Sequence, residues 1–188
     1  MFLICTFLSD GTFFIIYNSN VKPLNMRLMI YLIISTLAYT DVKPVKSVDL
    51  DKYSGKWYVI AAIPTKLDKN WSYTTESYSL RQDGNIDILT TYVKEKETKT
   101  SVLTSKGFPD AKTNNVEWKV QFIWPFKADY LIEELADDYS YVVVGHPKKK
   151  VLYIMNRTGK MHNDLYIAIV ERCIKKGYDI GKIRKVLQ

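Results

Sequence analysis

The fold of this chain is decided by the segment Asp51-Lys52-Tyr53-Ser54-Gly55-Lys56-Trp57-Tyr58, taken together with Arg157 much later in the sequence. A Tyr-x-Gly-x-Trp-Tyr pattern ahead of a series of short strands needs a physical reason. Glycine lets the backbone pass close beneath a large indole at the start of the first strand. A guanidinium that stacks on an indole contributes roughly 0.5–2 kcal/mol, so we expect Arg157 to cover Trp57.

The length and composition indicate one folded domain preceded by a leader. The chain has 188 residues, and because 47% are hydrophobic and 13% aromatic, a disordered chain is excluded. We assign residues 1–40 to an N-terminal extension with a signal-peptide-like segment, and residues 41–188 to the folded domain. The apolar run after Met26-Arg27 is too short to span a bilayer comfortably, which is typical of a secretory signal peptide and makes Met26 a candidate start. A membrane anchor built from both apolar runs of the leader is the alternative.

The cysteines and histidines favour neither a disulfide nor a metal site. Cys5 follows the bulky Ile4 with no apolar stretch before it, so we find no acylation cysteine. Cys173 falls in a predicted helix, where a thiol packs rather than reacts. His146 and His162 have no Cys or His close by, and neither is on a confidently inward phase. The sequence thus predicts no metal and no catalytic residue.

The net charge of +7 favours anionic partners. Membrane surfaces and fatty acids are two such partners. Nucleic acid is a third, but the sequence contains no arginine-rich helix and no recognisable nucleic-acid-binding module. We therefore predict no nucleic-acid partner.

Side chains alternate with a period of two from Gly55 onward. The clearest case is residues 116–122, which are apolar at even positions and polar at odd ones, and Asp83-Gly84 forms a turn between two such runs. Eight strands at regular spacing can be placed in this way. A helical period follows, in which Asn163-Asp164 are expected to cap a helix from Leu165 to Lys176 and Gly177 to end it.

This order of elements predicts an all-β fold. We expect an eight-stranded up-and-down antiparallel β-barrel with one C-terminal α-helix packed on the outside. A closed barrel removes exposed strand edges, and one of this size can hold a single small ligand.

Five motifs in the same order resemble the lipocalin family, and most closely its bacterial lipocalin and apolipoprotein D branch. They are Val48 to Ala61, Ser77 to Gly84, Lys119 to Phe126, Asp138 to Tyr141 and Leu152 to Thr158. The resemblance covers residues 47–188 and implies a calyx that is open at one end and floored by Gly55, Trp57 and Arg157. It also implies a binding and transport protein without a cofactor. Bacterial members are usually anchored to the outer membrane by lipid, and this sequence departs from them because it lacks the acylation cysteine.

Alternation from an inward Trp57 predicts the ligand-binding side chains. They are Val59, Ala61, Glu76, Tyr78, Ile86, Ile88, Trp118, Val120, Phe122, Tyr130, Ile132 and Tyr153.

Glu76 breaks this apolar pattern. A carboxylate that faces an apolar cavity has to pair, hydrate or take up a proton. Glu76 is therefore expected either to narrow the cavity or contact a polar ligand group, or to point outward after a local bulge. Glu134 shares the inward phase unless a bulge turns it out.

The connections at the open end are rich in lysine and aromatic residues. They carry Lys66, Lys69, Lys94, Lys96, Lys99, Lys127, Lys148, Lys149 and Lys150, beside Trp71, Trp124 and Phe126. This rim is either an ordinary solvated loop set or a surface that docks on anionic bilayers or collects free fatty acid.

Taken together, the residues and the resemblance predict binding and transport of small hydrophobic ligands, in particular fatty acids or lysophospholipids, for membrane lipid maintenance. We expect a secreted or periplasmic protein, associated with the outer membrane and acting as a monomer or homodimer. One alternative is an isomerase-like enzyme of the same fold, which needs an acid–base set or a thiol inside the barrel. A stress-protection role at a membrane surface is the other.

Overall fold

Nine antiparallel strands form one sheet in residues 44–188, the part of the chain that the computed structural model describes. The leader predicted for residues 1–40, with Cys5, lies outside this range. The strands are β1 Gly55–Ile63, β2 Trp71–Leu80, β3 Ile86–Lys94, β4 Thr100–Pro109, β5 Glu117–Ile123, β6 Phe126–Leu135, β7 Tyr141–Gly145, β8 Leu152–Asn156 and β9 Arg184–Lys185. The helices are α1 Leu50–Tyr53 and α2 Asn163–Lys175, with short 3-10 turns at Ala111–Thr113 and Ile180–Lys182.

The sheet closes into a barrel because β1 pairs with both β2 and β8. Consecutive strands from β1 to β8 are neighbours, so the predicted eight-stranded up-and-down barrel with a C-terminal helix is confirmed. In the described part of the chain, no helix is long and apolar enough to cross a membrane.

The ninth strand belongs to a C-terminal segment that fills a seam between β1 and β2. The lower half of β1, Gly55 to Tyr58, pairs with β2, whereas its upper half pairs with β9. Beyond β9, the backbone N–H of Val186 donates to the carbonyl of Ile60. The Gln188 amide then bridges the two strands by donating to a carbonyl of each. We did not predict β9 because two residues are too few to show a period.

The closed end of the barrel is built around the indole of Trp57, which is fully buried. The guanidinium carbon of Arg157 lies 3.7 Å from the centre of that ring. Its nitrogens donate to carbonyl oxygens of Ser54 and Lys56 at 3.0 and 3.2 Å, and also to those of Lys52 and Tyr53. The stack expected from the sequence is therefore present.

Gly55 is required at this floor by its backbone conformation. Its φ of +97° is one that L side chains rarely adopt, and a Cβ would lie 3.3 Å from Nη1 of Arg157.

A bulge in β1 changes which side chains face the interior. The register with β8 shifts between Val59 and Ala61. Val59 packs in the inner core, but Ala61 packs with Ile169 and Cys173 of α2 on the outside. The inward position predicted for Ala61 is therefore wrong, and Ala62 takes a place in the inner core instead.

A second bulge, in β6, turns Glu134 out of the barrel, as one of the two alternatives had it. The register with β7 shifts between Ile132 and Glu134. Glu134 is 1% exposed, and it accepts hydrogen bonds from Nε of Arg172 in α2 and from the Tyr141 hydroxyl at 2.7 Å. This buried ion pair fastens the helix to the barrel wall.

Helix α2 starts two residues earlier than predicted. Asn163 is its first residue, and His162 occupies the N-cap position without a capping side-chain bond, so Asn163 and Asp164 are not the cap. Gly177 follows the helix with a φ of +87°, as the predicted stop requires. Burial raises the pKa of the Cys173 thiol to about 11, which keeps it protonated and unreactive.

Replacing Arg157 with Lys should destabilise the barrel by about 2–4 kcal/mol in the free energy of unfolding, because an ammonium neither lies flat on the indole nor reaches several carbonyls at once. Urea denaturation followed by tryptophan fluorescence measures this loss. Arg81→Lys is the matched control, since Arg81 pairs with Asp87 on the exposed surface and should change stability by less than about 1 kcal/mol. Equal effects of the two changes would contradict the assigned role of Arg157.

Candidate ligand-binding site

A cavity of about 280 Å³ opens inside the barrel. Side chains from the connections between β1 and β2 and between β7 and β8 contribute to its wall, so its mouth lies at the end predicted to be open. Seven of the predicted ligand-binding residues line it: Glu76, Tyr78, Ile88, Val120, Phe122, Tyr130 and Tyr153.

The other five predicted residues do not line the cavity. Ala61 is outside the barrel, as described above. Val59, Ile86, Trp118 and Ile132 are inward but belong to the packed core with Trp57. Side-chain alternation predicts which residues face the interior of the barrel. It does not predict how far up from the floor the interior is filled by packed side chains and where the cavity begins.

Aromatic rings fill the closed half of the barrel. The Tyr53 ring lies 5.3 Å from Trp57, 5.2 Å from Tyr78 and 5.2 Å from Trp118, measured between centroids. Trp118 in turn stacks on Tyr130 at 5.1 Å. This cluster forms a solid base, and the cavity begins above it.

The polar edges of these tyrosines meet in a chain of hydrogen bonds that ends at Glu76. The hydroxyls of Tyr53 and Tyr130 are 2.6 Å apart, and those of Tyr130 and Tyr78 are 2.9 Å apart. Tyr78 donates its single hydroxyl hydrogen to Oε2 of Glu76. Its oxygen must then accept from Tyr130, and Tyr130 must accept from Tyr53.

Glu76 faces the cavity, as the first alternative had it. Burial raises the pKa of its carboxyl, and the negative charge of Asp68 raises it further, while the bond from Tyr78 opposes both. Its second oxygen, Oε1, receives no hydrogen bond from any residue in the range 44–188. Glu76 thus places on the wall of an apolar space a carboxyl with a raised pKa, of which one oxygen has no donor among residues 44–188.

Asp68 is a buried carboxylate on the cavity wall that side-chain alternation does not identify, because it lies in the connection between β1 and β2. Its Oδ1 accepts from the Thr65 N–H at 2.7 Å, and its Oδ2 accepts from the Tyr153 hydroxyl at 2.8 Å. Arg184 of β9 donates to the carbonyls of Asp68 and Trp71. These bonds hold the connection between β1 and β2 against the barrel, where Asp68 and Leu67 line the cavity.

Trp71 also lines the cavity, although we placed it on the rim. Its ring stacks on Tyr92 of β3 with centroids 3.5 Å apart. A register shift between Ser72 and Thr75, with a positive φ at Tyr73, puts this odd-numbered residue on the same side as Glu76. Because the even-numbered residues of β2 were predicted to face inward, alternation did not identify Trp71 as a cavity residue.

His146 is a further cavity residue that the alternation did not identify. Its Nδ1 accepts from the Lys148 N–H at 3.0 Å, and its Nε2 lies 3.6 Å from Asp129, which also pairs with Lys119. At the rim, Lys149 is turned away to Glu133, so it does not join the other lysines.

Cys173 packs between the barrel and α2, and within residues 44–188 no cluster of His, Cys, Asp and Glu is arranged to hold a metal ion.

A closed antiparallel barrel with an outer helix and an apolar cavity open at one end defines a calyx, a class of protein that holds a small ligand inside the barrel. The family model for the lipocalin-like domain matches residues 48–188, and this chain belongs to the lipocalin family. The family supports the binding of a small hydrophobic ligand as the function of the barrel.

Several relatives agree with this assignment. The chain is 31% identical to temperature-induced lipocalin-1 of Arabidopsis thaliana over 79% of this chain and 83% of the relative. It is 28% identical to the outer membrane lipoprotein Blc of Vibrio cholerae over 79% and 87%. Among solved structures, insecticyanin of the tobacco hornworm Manduca sexta superposes with a TM-score of 0.60 at 17% identity, over 78% of this chain and 84% of that one.

Glu76→Gln should stabilise the protein, and more so as the pH rises. A carboxyl whose pKa is raised by folding contributes stability below its unfolded pKa of about 4.3 and loses that contribution as the pH rises through the folded value. The amide does not titrate, so the melting temperature of the variant minus that of the wild type should grow by several degrees between about pH 4 and pH 8. Differential scanning fluorimetry across this range measures it.

The exposed Glu171→Gln on α2 is the charge-matched control, and its difference should stay flat. The tyrosines around Glu76 do not disturb the comparison, because burial raises the pKa of Tyr53, Tyr78 and Tyr130 above this range. A difference for Glu76→Gln that is the same at both ends of the range would contradict the environment assigned to Glu76.

Proposed function

We propose that this protein binds and carries single-chain amphiphiles of the lipid class, for which fatty acids and lysophospholipids are the first candidates. The observation that carries the proposal is the apolar cavity of about 280 Å³, narrow and open at one end. A space of this size suits one hydrocarbon chain better than a multi-chain lipid. Maintenance of membrane lipids is the role that such a carrier would serve.

Binding would be driven by burial of the hydrocarbon chain. The upper wall offers Ile88, Leu103, Val120, Val144 and Met155 as apolar contacts. Each methylene removed from water contributes about 0.8 kcal/mol. An acidic or phosphate head that remained at the mouth would lie among exposed lysines such as Lys66, Lys69 and Lys148.

The rim supports a second proposal, that the protein touches anionic membranes while it exchanges ligand. In the tip between β5 and β6, Ile123 is 72% exposed, Trp124 82% and Phe126 76%. Leu67, from another connection at the mouth, is also exposed. Interfacial aromatics insert between headgroups, and lysines near an anionic surface contribute about 1 kcal/mol each.

The relatives bear on where this would happen. The Vibrio cholerae relative is named an outer membrane lipoprotein, which supports a secreted or periplasmic location at the outer membrane for this chain. The Arabidopsis relative is named temperature-induced. That name favours the stress-protection alternative, which would be supported by a protein that binds vesicles and contains no ligand. Monomer or homodimer remains a prediction.

Affinity should rise about fourfold for each added methylene until the cavity is full, since about 0.8 kcal/mol corresponds to that ratio. Displacement of a fluorescent probe by saturated fatty acids and lysophosphatidylcholines of increasing length measures it. Leu103→Phe narrows the cavity and should move the plateau to shorter chains. Val102 is adjacent to Leu103 but lies on the exposed side of β4, so Val102→Phe should not change the chain length at which affinity reaches its plateau. Affinity that does not depend on chain length would overturn the proposal.

Trp124→Ser combined with Phe126→Ser should lower binding to anionic vesicles by tenfold or more, because each side chain loses over 1 kcal/mol of apolar burial. Co-sedimentation with vesicles of phosphatidylglycerol and phosphatidylcholine measures this. Ile167→Ser combined with Ile174→Ser on α2 is the control, which removes two exposed apolar side chains away from the mouth. If the amount of protein that co-sediments with vesicles depended neither on the anionic lipid content nor on the salt concentration, the proposed membrane contact would be wrong.

A further inference from the structure

We propose that the cavity prefers single-chain amphiphiles that carry a basic nitrogen, bound with the nitrogen at the closed end against Glu76. This inference rests on the proposed function, namely that the cavity accepts a single-chain ligand. It ranks the head groups among such ligands and places amines ahead of fatty acids.

The position of Glu76 sets the depth at which this head would bind. Glu76 is opposite Trp57 in the register of β1 and β2, and opposite Thr90 in that of β2 and β3. Trp57 belongs to the floor of the barrel, whereas Thr90 lines the cavity. The carboxyl therefore lies where the packed base ends and the cavity begins.

Among the three carboxyl groups on the cavity wall in residues 44–188, Glu76 accepts a single hydrogen bond, from Tyr78, and no basic side chain reaches its oxygens. Asp129, at the mouth, pairs with Lys119 and His146. Asp68 accepts three hydrogen bonds through its carboxylate, and the positively charged Arg184 binds its carbonyl. Within residues 44–188, the side chains that line this cavity include no lysine and no arginine.

The methyl end of a hydrocarbon chain binds unfavourably at the closed end of the cavity, beside Glu76. Its methyl group would take water away from Oε1 of Glu76 without replacing the lost hydrogen bonds. A fatty-acid carboxylate placed there would meet Glu76 and, further off, Asp68, whose negative charge already acts on the Glu76 carboxyl. An ammonium group supplies N–H donors and a positive charge to the same oxygen, and such charge-assisted bonds are the stronger kind.

Binding of an ammonium ligand changes the protonation of Glu76 in a defined direction. Burial raises the pKa of Glu76, so as the pH falls this carboxyl takes up a proton earlier than an exposed glutamate does. When an ammonium binds, the carboxyl O–H bond breaks, the proton leaves to water, and the nitrogen keeps all of its hydrogens. Amine affinity should therefore rise with pH while Glu76 titrates, and a carboxylate ligand should show the opposite slope.

The other titratable groups that face Glu76 do not reverse the expected rise of amine affinity with pH. Tyr78 on β2, Tyr130 on β6, Tyr153 on β8 and Tyr53 in α1 all have pKa values raised by burial, so they stay protonated. Asp68, from the connection after β1, contributes a negative charge that also favours a cation.

The test compares three ligands with the same ten-carbon chain, decylamine, decanoate and decanol, by isothermal titration calorimetry on the whole domain. For the wild type at about pH 7.5, we expect decylamine to bind about tenfold tighter than decanoate. Titrations in two buffers of different ionisation enthalpy, repeated between about pH 4 and pH 8, should show proton release with decylamine over the range in which Glu76 titrates. In Glu76→Gln, the affinity ratio of decylamine to decanoate should fall to within about threefold, whereas Glu171→Gln should keep the wild-type ratio.

The outcomes separate the two proposals. Decanoate binding as tightly as decylamine, or a Glu76→Gln variant that keeps the preference, overturns the head-group inference and leaves the lipid carrier intact. Failure of all three ligands to bind overturns the carrier itself. If Glu76→Gln does not fold, the wild type decides, and the absence of proton release with decylamine at every pH between about 4 and 8 overturns the inference.

Discussion

Arg157 lies flat on Trp57 and binds backbone oxygens on both sides of Gly55, so a single side chain ties the segment after β8 to α1 and to the start of β1. Closure of a barrel requires its first and last strands to meet, and this contact fixes them at one end. It also needs Gly55, because the guanidinium occupies the space that a side chain would take. The floor therefore acts as a structural clamp, and ligand chemistry is left to the residues above it.

The cavity above the floor combines an apolar wall with a polar bottom. The rings of its base meet mostly edge to face, and the tyrosine hydroxyls form a chain that ends at one carboxyl, which satisfies three buried hydroxyls in succession. Such a network stabilises only when each member has a partner. Among residues 44–188, nothing donates to the second oxygen of Glu76, and this distinguishes the site from a purely apolar pocket of the same volume.

Much of the fold was predictable from the sequence, and the failures have a common physical origin. Eight strands, their order and the Trp57–Arg157 stack follow from side-chain alternation and from one glycine. Alternation holds only along an uninterrupted ladder, and each bulge reverses it. Ala61, Glu134 and Trp71 all lie next to such a shift. The depth of the cavity escaped prediction for another reason, since Ile86 and Trp118 show their role only when the rings across the barrel are seen packed against them.

The segment from Arg184 to Gln188 connects parts of the protein that are made at very different times. Gln188 bonds to Val59 across 129 positions, and it also bonds to Thr74 on the neighbouring strand. During synthesis, β1 and β2 are among the first strands to leave the ribosome, yet the seam between their upper halves stays open until this segment follows. Contacts of such long sequence separation form late and slow folding. The upper seam of the barrel is thus completed only when this segment joins the sheet, later than the local pairing of β1 with β2 at the closed end.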